Sequence, residues 1–125
     1  MPVILVADDD PDIVELLSSR LEANSYKVIT AYDAVCAVEM AHNEKPDLII
    51  LDIKMPGGGG VGALENLKLS RVTRNIPVIC ISASTATGVC QEALDKGAKA
   101  FIAKPFDAEQ LLKEVKKQLT DAHSY

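Results

Sequence analysis

The segment Val3-Ile4-Leu5-Val6-Ala7-Asp8-Asp9-Asp10-Pro11 reads as a buried strand running into a helix. Five apolar, mostly β-branched residues without a polar break describe a strand covered on both faces, as in a parallel sheet. Three aspartates stop the run. Asp10 has the side chain of a helix N-cap, and Pro11 the fixed φ of a first helical residue. Ile13, Leu16, Leu17 and Leu21 then recur at i, i+3, i+4 and i+8 as one apolar stripe.

The same unit repeats outward along the chain. Further apolar runs lie at 27–31, 48–51, 78–81 and 100–103. Asp33 caps a second helix that carries Val35, Val38 and Ala41 and ends near Asn43. A third holds Leu64 and Leu67 and stops before Pro77. A fourth, from about Thr87 to Lys96, carries Val89, Ala93 and Leu94, and Gly97 terminates it in the left-handed conformation. Asp107, with Gln110 three residues on, has the acceptor and reach-back amide of a capping box. Leu111, Leu112, Val115 and Leu119 form the fifth stripe. Five βα units in strict alternation predict an α/β, doubly wound (βα)5 domain with a five-stranded parallel sheet, right-handed crossovers and helices on both faces. All strand C-terminal ends then share one edge, where ligands of such folds bind.

Composition narrows the function classes. The chain has 125 residues with 13 basic and 18 acidic side chains, a net charge of −5. That length suits one domain, expected over 1–120 with a short tail at 121–125. No apolar run approaches the roughly 20 residues of a membrane helix, and no basic region precedes the first run, so a cytoplasmic protein without membrane contact is expected. Cys36, Cys80 and Cys90 are widely spaced and odd in number, against a disulfide framework or zinc site. Cys80 and Cys90 read as small buried hydrophobes and Cys36 as helix packing. The acidic balance disfavours direct nucleic-acid contact.

The strand ends supply Asp8-Asp9-Asp10, Asp52, Ser82 and Lys104-Pro105 to the shared edge. Carboxylates converging there repel one another unless a cation sits among them. A hard divalent ion such as Mg²⁺, which takes one or two carboxylates plus a phosphate and keeps several waters, answers that need. Lys104 adds a fixed positive charge for a phosphoryl oxygen, and Ser82 a hydroxyl. Together they make a phosphoryl-transfer site with a carboxylate available as nucleophile.

Four pieces in order carry a family resemblance: Leu5-Val6-Ala7-Asp8-Asp9-Asp10, Leu51-Asp52-Ile53-Lys54-Met55-Pro56, Ile81-Ser82-Ala83, and Gly97-Ala98 followed by Phe101-Ile102-Ala103-Lys104-Pro105-Phe106. Over essentially its whole length the chain resembles the receiver domain of two-component response regulators. The resemblance implies a flavodoxin-like strand order of 2-1-3-4-5. It implies Asp52 as phospho-acceptor, and Asp9, Asp52 and the Lys54 backbone carbonyl as Mg²⁺ ligands, with Asp8 acting through a bound water. Lys104 would pair with the phosphoryl group across a cis peptide to Pro105. Ser82 would move to hydrogen-bond the phosphoryl oxygen, and Phe101 would turn into the space vacated. The implied partners are a sensor histidine kinase or phosphotransfer protein, and a downstream protein docking on the fourth helix, fifth strand and fifth helix.

Two departures from the family stand out. Gly57 to Gly60 are four consecutive glycines, with Gly59 where receivers commonly carry an acidic residue. The ordering cost of glycine leads to the expectation of a mobile loop and a third helix that starts late. Lys54 lies two residues past the acceptor, where phosphatases with an aspartyl nucleophile place a second carboxylate as general acid. Its presence argues for a switch with weak self-catalysed turnover rather than an enzyme. Ser84, two past Ser82, is small and leaves the site open. The expected protein is a stand-alone phosphoacceptor. The alternatives are the receiver piece of a longer regulator or hybrid kinase, and a phosphorylation-independent interaction module.

Overall fold

A computed structural model of the chain describes residues 1–54, 59–83 and 88–122, with the side chains of 121 and 122 left aside. Readings that rest on Met55, Pro56, Gly57, Gly58, Ser84, Thr87 and the end of the tail lie outside the described residues. Ten elements alternate along the chain: β1 (Val3–Ala7), α1 (Pro11–Ala23), β2 (Lys27–Ala31), α2 (Ala34–Glu44), β3 (Leu48–Asp52), α3 (Gly59–Leu69), β4 (Val78–Ser82), α4 (Val89–Asp95), β5 (Ala100–Ala103) and α5 (Ala108–Ala122).

The five strands are parallel in the order β2-β1-β3-β4-β5. Alternation along each strand splits the core in two. Leu5, Ala7, Ile49, Leu51, Val78 and Cys80 point to the side covered by α2, α3 and α4. Ile4, Val6, Leu48, Ile50, Ile79 and Ile81 point to the side covered by α1 and α5. The chain ends of the runs behave as their chemistry dictates. Asp10 accepts from the Asp12 amide at 2.9 Å and Asp33 from the Cys36 amide at 2.7 Å, while Asp107 accepts from the Glu109 amide at 2.9 Å, one residue short of the Gln110 expected for a capping box. Gly97 closes α4 at φ 110°, as a residue without Cβ can.

Several expectations are corrected. The buried face of α1 is Val14, Leu17 and Leu21, while Leu16 is 44% exposed. Two residues of helix turn the chain by about 200°, so burying Val14 sends Leu16 outward. In α2 the buried face is Ala34, Ala37 and Ala41, an alanine stripe that lets the helix approach the sheet, and Val35 is turned out at 56% exposure. Leu94 is partly exposed because α4 is short and buries only Ala93 fully. Cys80 is buried as expected, but Cys36 lies off the alanine stripe and Cys90 in the first turn of α4, and both are exposed.

The third helix does not start late. It begins at Gly59, which enters at φ 78°, and the Gly60 amide donates to the Ile53 carbonyl at 3.1 Å. A Cβ on Gly60 would overlap the Asp52 carbonyl oxygen and the Ile53 Cα. The missing side chain therefore lets the first turn of α3 sit directly on the backbone that follows β3.

Candidate functional site

Parallel pairing brings the strand ends level. Ala7 is in register with Leu51, Asp52 with Ile81, and Ser82 with Ala103. Asp8, one residue past β1, is held there by its amide, which donates to the Ala31 carbonyl at 3.1 Å. Lys104, one residue past β5, is held by its amide donating to the Ser82 carbonyl at 2.8 Å. The peptide from Lys104 to Pro105 is cis. Residues remote in sequence thus meet because each stands at the same end of its strand.

Three carboxylates converge. Asp8, Asp9 and Asp52 each offer an oxygen within 4.8 Å of the others, with Asp8 and Asp52 buried and Asp9 exposed. Lys104 reaches into the cluster. Its Nζ donates to Asp8 Oδ2 at 2.7 Å and to Asp52 Oδ2 at 3.2 Å. The remaining oxygens of both acids are held by backbone two residues ahead. Asp8 Oδ1 accepts from the Asp10 amide and Asp52 Oδ1 from the Lys54 amide, each at 2.9 Å. These local turns fix the carboxylate planes, and their signal was open to sequence reasoning, since Asp side chains favour contact with the amide two residues on.

The electrostatics follow from burial. Loss of water pushes the Asp8 carboxyl above its ordinary value, and the nearby Asp52 charge adds to this, although the Lys104 and Asp10 hydrogen bonds pull the other way. For Lys104, burial alone lowers the pKa, but the hydrogen bond to Asp8 and the charges of Asp52 and Asp8 outweigh it, so the ammonium is held above its usual range. Among the described residues Lys104 is the cation bonded in this cluster, shared by Asp8 and Asp52, with Asp9 as a third carboxylate beside them. The donor set is all oxygen, anionic and open on the Asp9 side, which fits a hard divalent ion in place of the missing positive charge.

Ser82 is fully buried at the end of β4, on the strand face shared with Val78 and Cys80. Cys80 is paired in register with Phe101, which is half-buried and packs against the same core. Ser82 and Phe101 therefore lie on one side of the sheet, and Phe101 borders a hollow of about 280 Å³ between β5 and α5 with Gln110, Lys113, Glu114 and Lys117. The backbone of Lys54 lies beside Asp52, its side chain exposed.

Comparison with known proteins agrees with this geometry. The family model of the response regulator receiver domain matches residues 4–116. The chain is 41% identical over 113 residues to the response regulator PleD of Caulobacter vibrioides, covering 90% of this chain and 25% of that protein. It is 34% identical over 116 residues to sporulation initiation phosphotransferase F of Bacillus subtilis, covering 93% of this chain and 92% of that protein. A CheY-like receiver domain protein from Methanospirillum hungatei superposes with a TM-score of 0.91 at 29% identity, over 98% of this chain and 96% of that one. The chain spans between a quarter and a half of the first curated relatives it matches. Acid pocket, strand order and sequence agree: the chain belongs to the response regulator receiver domains, the phosphoacceptors of two-component signalling.

Proposed function

We propose that Asp52 is the phospho-acceptor. A carboxylate oxygen of Asp52 forms a bond to phosphorus while the bond from phosphorus to the donor imidazole breaks, and the imidazole takes up a proton. The donor is a phosphohistidine of a sensor kinase or phosphotransfer protein. Lys104 holds a phosphoryl oxygen, and the Lys54 amide keeps Asp52 oriented during the transfer. Asp8, Asp9, Asp52 and the Lys54 carbonyl would hold Mg²⁺, which when bound supplies positive charge against the phosphoryl oxygens. Ser82 then turns to the new phosphoryl group, and Phe101 follows into the space it leaves, changing the surface beside α5 for a protein partner on α4, β5 and α5. The setting proposed is cytoplasmic. No helix among the described residues is long and apolar enough to cross a membrane.

One observation carries this reading: a buried aspartate at a strand end, within reach of a half-buried lysine and two further carboxylates. The test is intact mass after incubation with Mg²⁺ and acetyl phosphate. The wild type gains one phosphoryl mass, and Asp52→Asn gains none. An unchanged wild-type mass would sink the proposal and favour a phosphorylation-independent interaction module. Lys54 at the second position past the acceptor supports a switch, since no carboxylate stands there to speed turnover. A second reading, that the chain is the receiver segment of a longer regulator, is favoured by the relatives of which it spans only a quarter to a half.

A further inference from the structure

The alanine stripe of α2 leaves the rest of that helix facing outward, and two grooves run along it. One, of about 340 Å³, lies between α2 and α3, where Val35, Val38, Glu39 and Gly62 line it. The other, also about 340 Å³, lies beside the end of β2 and is lined by Ala31, Tyr32, Asp33, Glu39 and Met40. Glu39 borders both. Each groove carries a large exposed apolar side chain, Val35 at 56% in the first and Tyr32 at 51% in the second. Gly62 keeps the first groove open, since a Cβ there would meet nothing within 4 Å. Among the described residues neither groove is lined by a lysine, arginine or histidine, and the carboxylates that line them are Asp33 and Glu39.

We propose that this face of α2 docks an amphipathic segment of another protein that presents apolar side chains flanked by lysine or arginine. Apolar residues fill the two grooves, and the basic groups meet Glu39 and Asp33. A second copy of this chain is the wrong occupant. Because Glu39 borders both grooves, a two-fold contact centred on them would set Glu39 against Glu39, with no cation among the described lining residues to separate them. The face is distinct from the hollow beside Phe101, and it connects to the acid pocket by one bond. Ala31, which lines the second groove, accepts the Asp8 amide. The proposal goes beyond the phosphoacceptor reading and does not depend on it.

The test uses a synthetic amphipathic helix of leucine and lysine, and its counterpart with glutamate for lysine, titrated into ¹⁵N-labelled protein with Mg²⁺ present. The leucine–lysine helix is expected to shift signals of residues 30–43 and 62–66, and the leucine–glutamate helix to leave them unmoved. Val35→Ser and Glu39→Lys should each weaken binding by about tenfold, and Glu39→Lys should narrow the preference between the peptides. Shifts centred on another face, equal binding by both variants and wild type, or concentration-dependent self-association through α2 would overturn the proposal. Phosphoryl uptake from acetyl phosphate is measured on the same variants. It should match wild type, so a failure to dock is separable from a failure to accept a phosphoryl group.

Discussion

Asp9 and Gly60 show how single side chains, present or missing, shape the acid pocket. Asp9 is the exposed member of three crowded carboxylates, of which Asp8 and Asp52 accept from Lys104. Asp9→Asn removes a like charge, so the metal-free protein should melt slightly higher, by some tenths of a kcal/mol up to about 1 kcal/mol of stability. The rise in melting temperature on adding Mg²⁺ should shrink sharply in the same variant. Thermal melts with and without Mg²⁺ check both. For Gly60, an added Cβ meets backbone rather than a flexible side chain. Gly60→Ala should therefore cost about 1–3 kcal/mol or more and slow phosphoryl uptake, because the displaced backbone carries Asp52. Gly62→Ala, two residues on and facing open space, should instead stabilise by about 0.5–1 kcal/mol. Urea unfolding of the pair tests the contrast.

At the scale of elements, the connection from α3 to β4 has its own fastening. Lys68 Nζ donates to the Arg74 carbonyl at 3.1 Å and the Ile76 carbonyl at 2.8 Å, and its methylene stem lies against Gly97. Lys68→Met keeps the stem but leaves those carbonyls without their donor, and should cost about 1–3 kcal/mol in chemical unfolding. No sequence signal marked Lys68, because its acceptors are main-chain atoms whose positions depend on the finished turn. The strands were legible for the opposite reason: an unbroken β-branched run has few places to hide except between two helical layers. The faces of α1 and α2 were less so. Leu16 and Val35 are as apolar as the residues that displaced them, and composition does not say which of two adjacent stripes the sheet will receive. The late start expected for α3 failed because glycine was weighed as a cost, when at Gly60 its lack of volume is what the packing requires.

For the molecule as a whole, the acid site was readable once five strands were counted, since alternation alone puts Asp8, Asp52, Ser82 and Lys104 on one edge. What sequence did not give was the balance of charge there, which depends on burial. Burial also governs stability in alkali. It pushes the Cys80 thiol up to about 12 from an ordinary 9.0. Between those values the folded protein keeps a proton that the unfolded chain releases, so this contribution is intact below pH 9 and is lost as pH rises toward 12. The slope reaches about 1.4 kcal/mol per pH unit at most. Cys80→Ala should flatten the alkaline loss relative to wild type, although its stability at pH 7 is lower. Unfolding midpoints at pH 7, 9 and 10 give the measurement.

The lysine that completes the pocket lies 96 residues after the first aspartate it binds. A nascent chain on the ribosome has all three carboxylates once residue 52 has been added, yet it lacks their counter-charge until the last strand emerges. Until then Asp8 and Asp52 stand without the ammonium that both of them accept from in the finished fold. The charge balance of the pocket is therefore set last, by a residue that stands past the fifth strand.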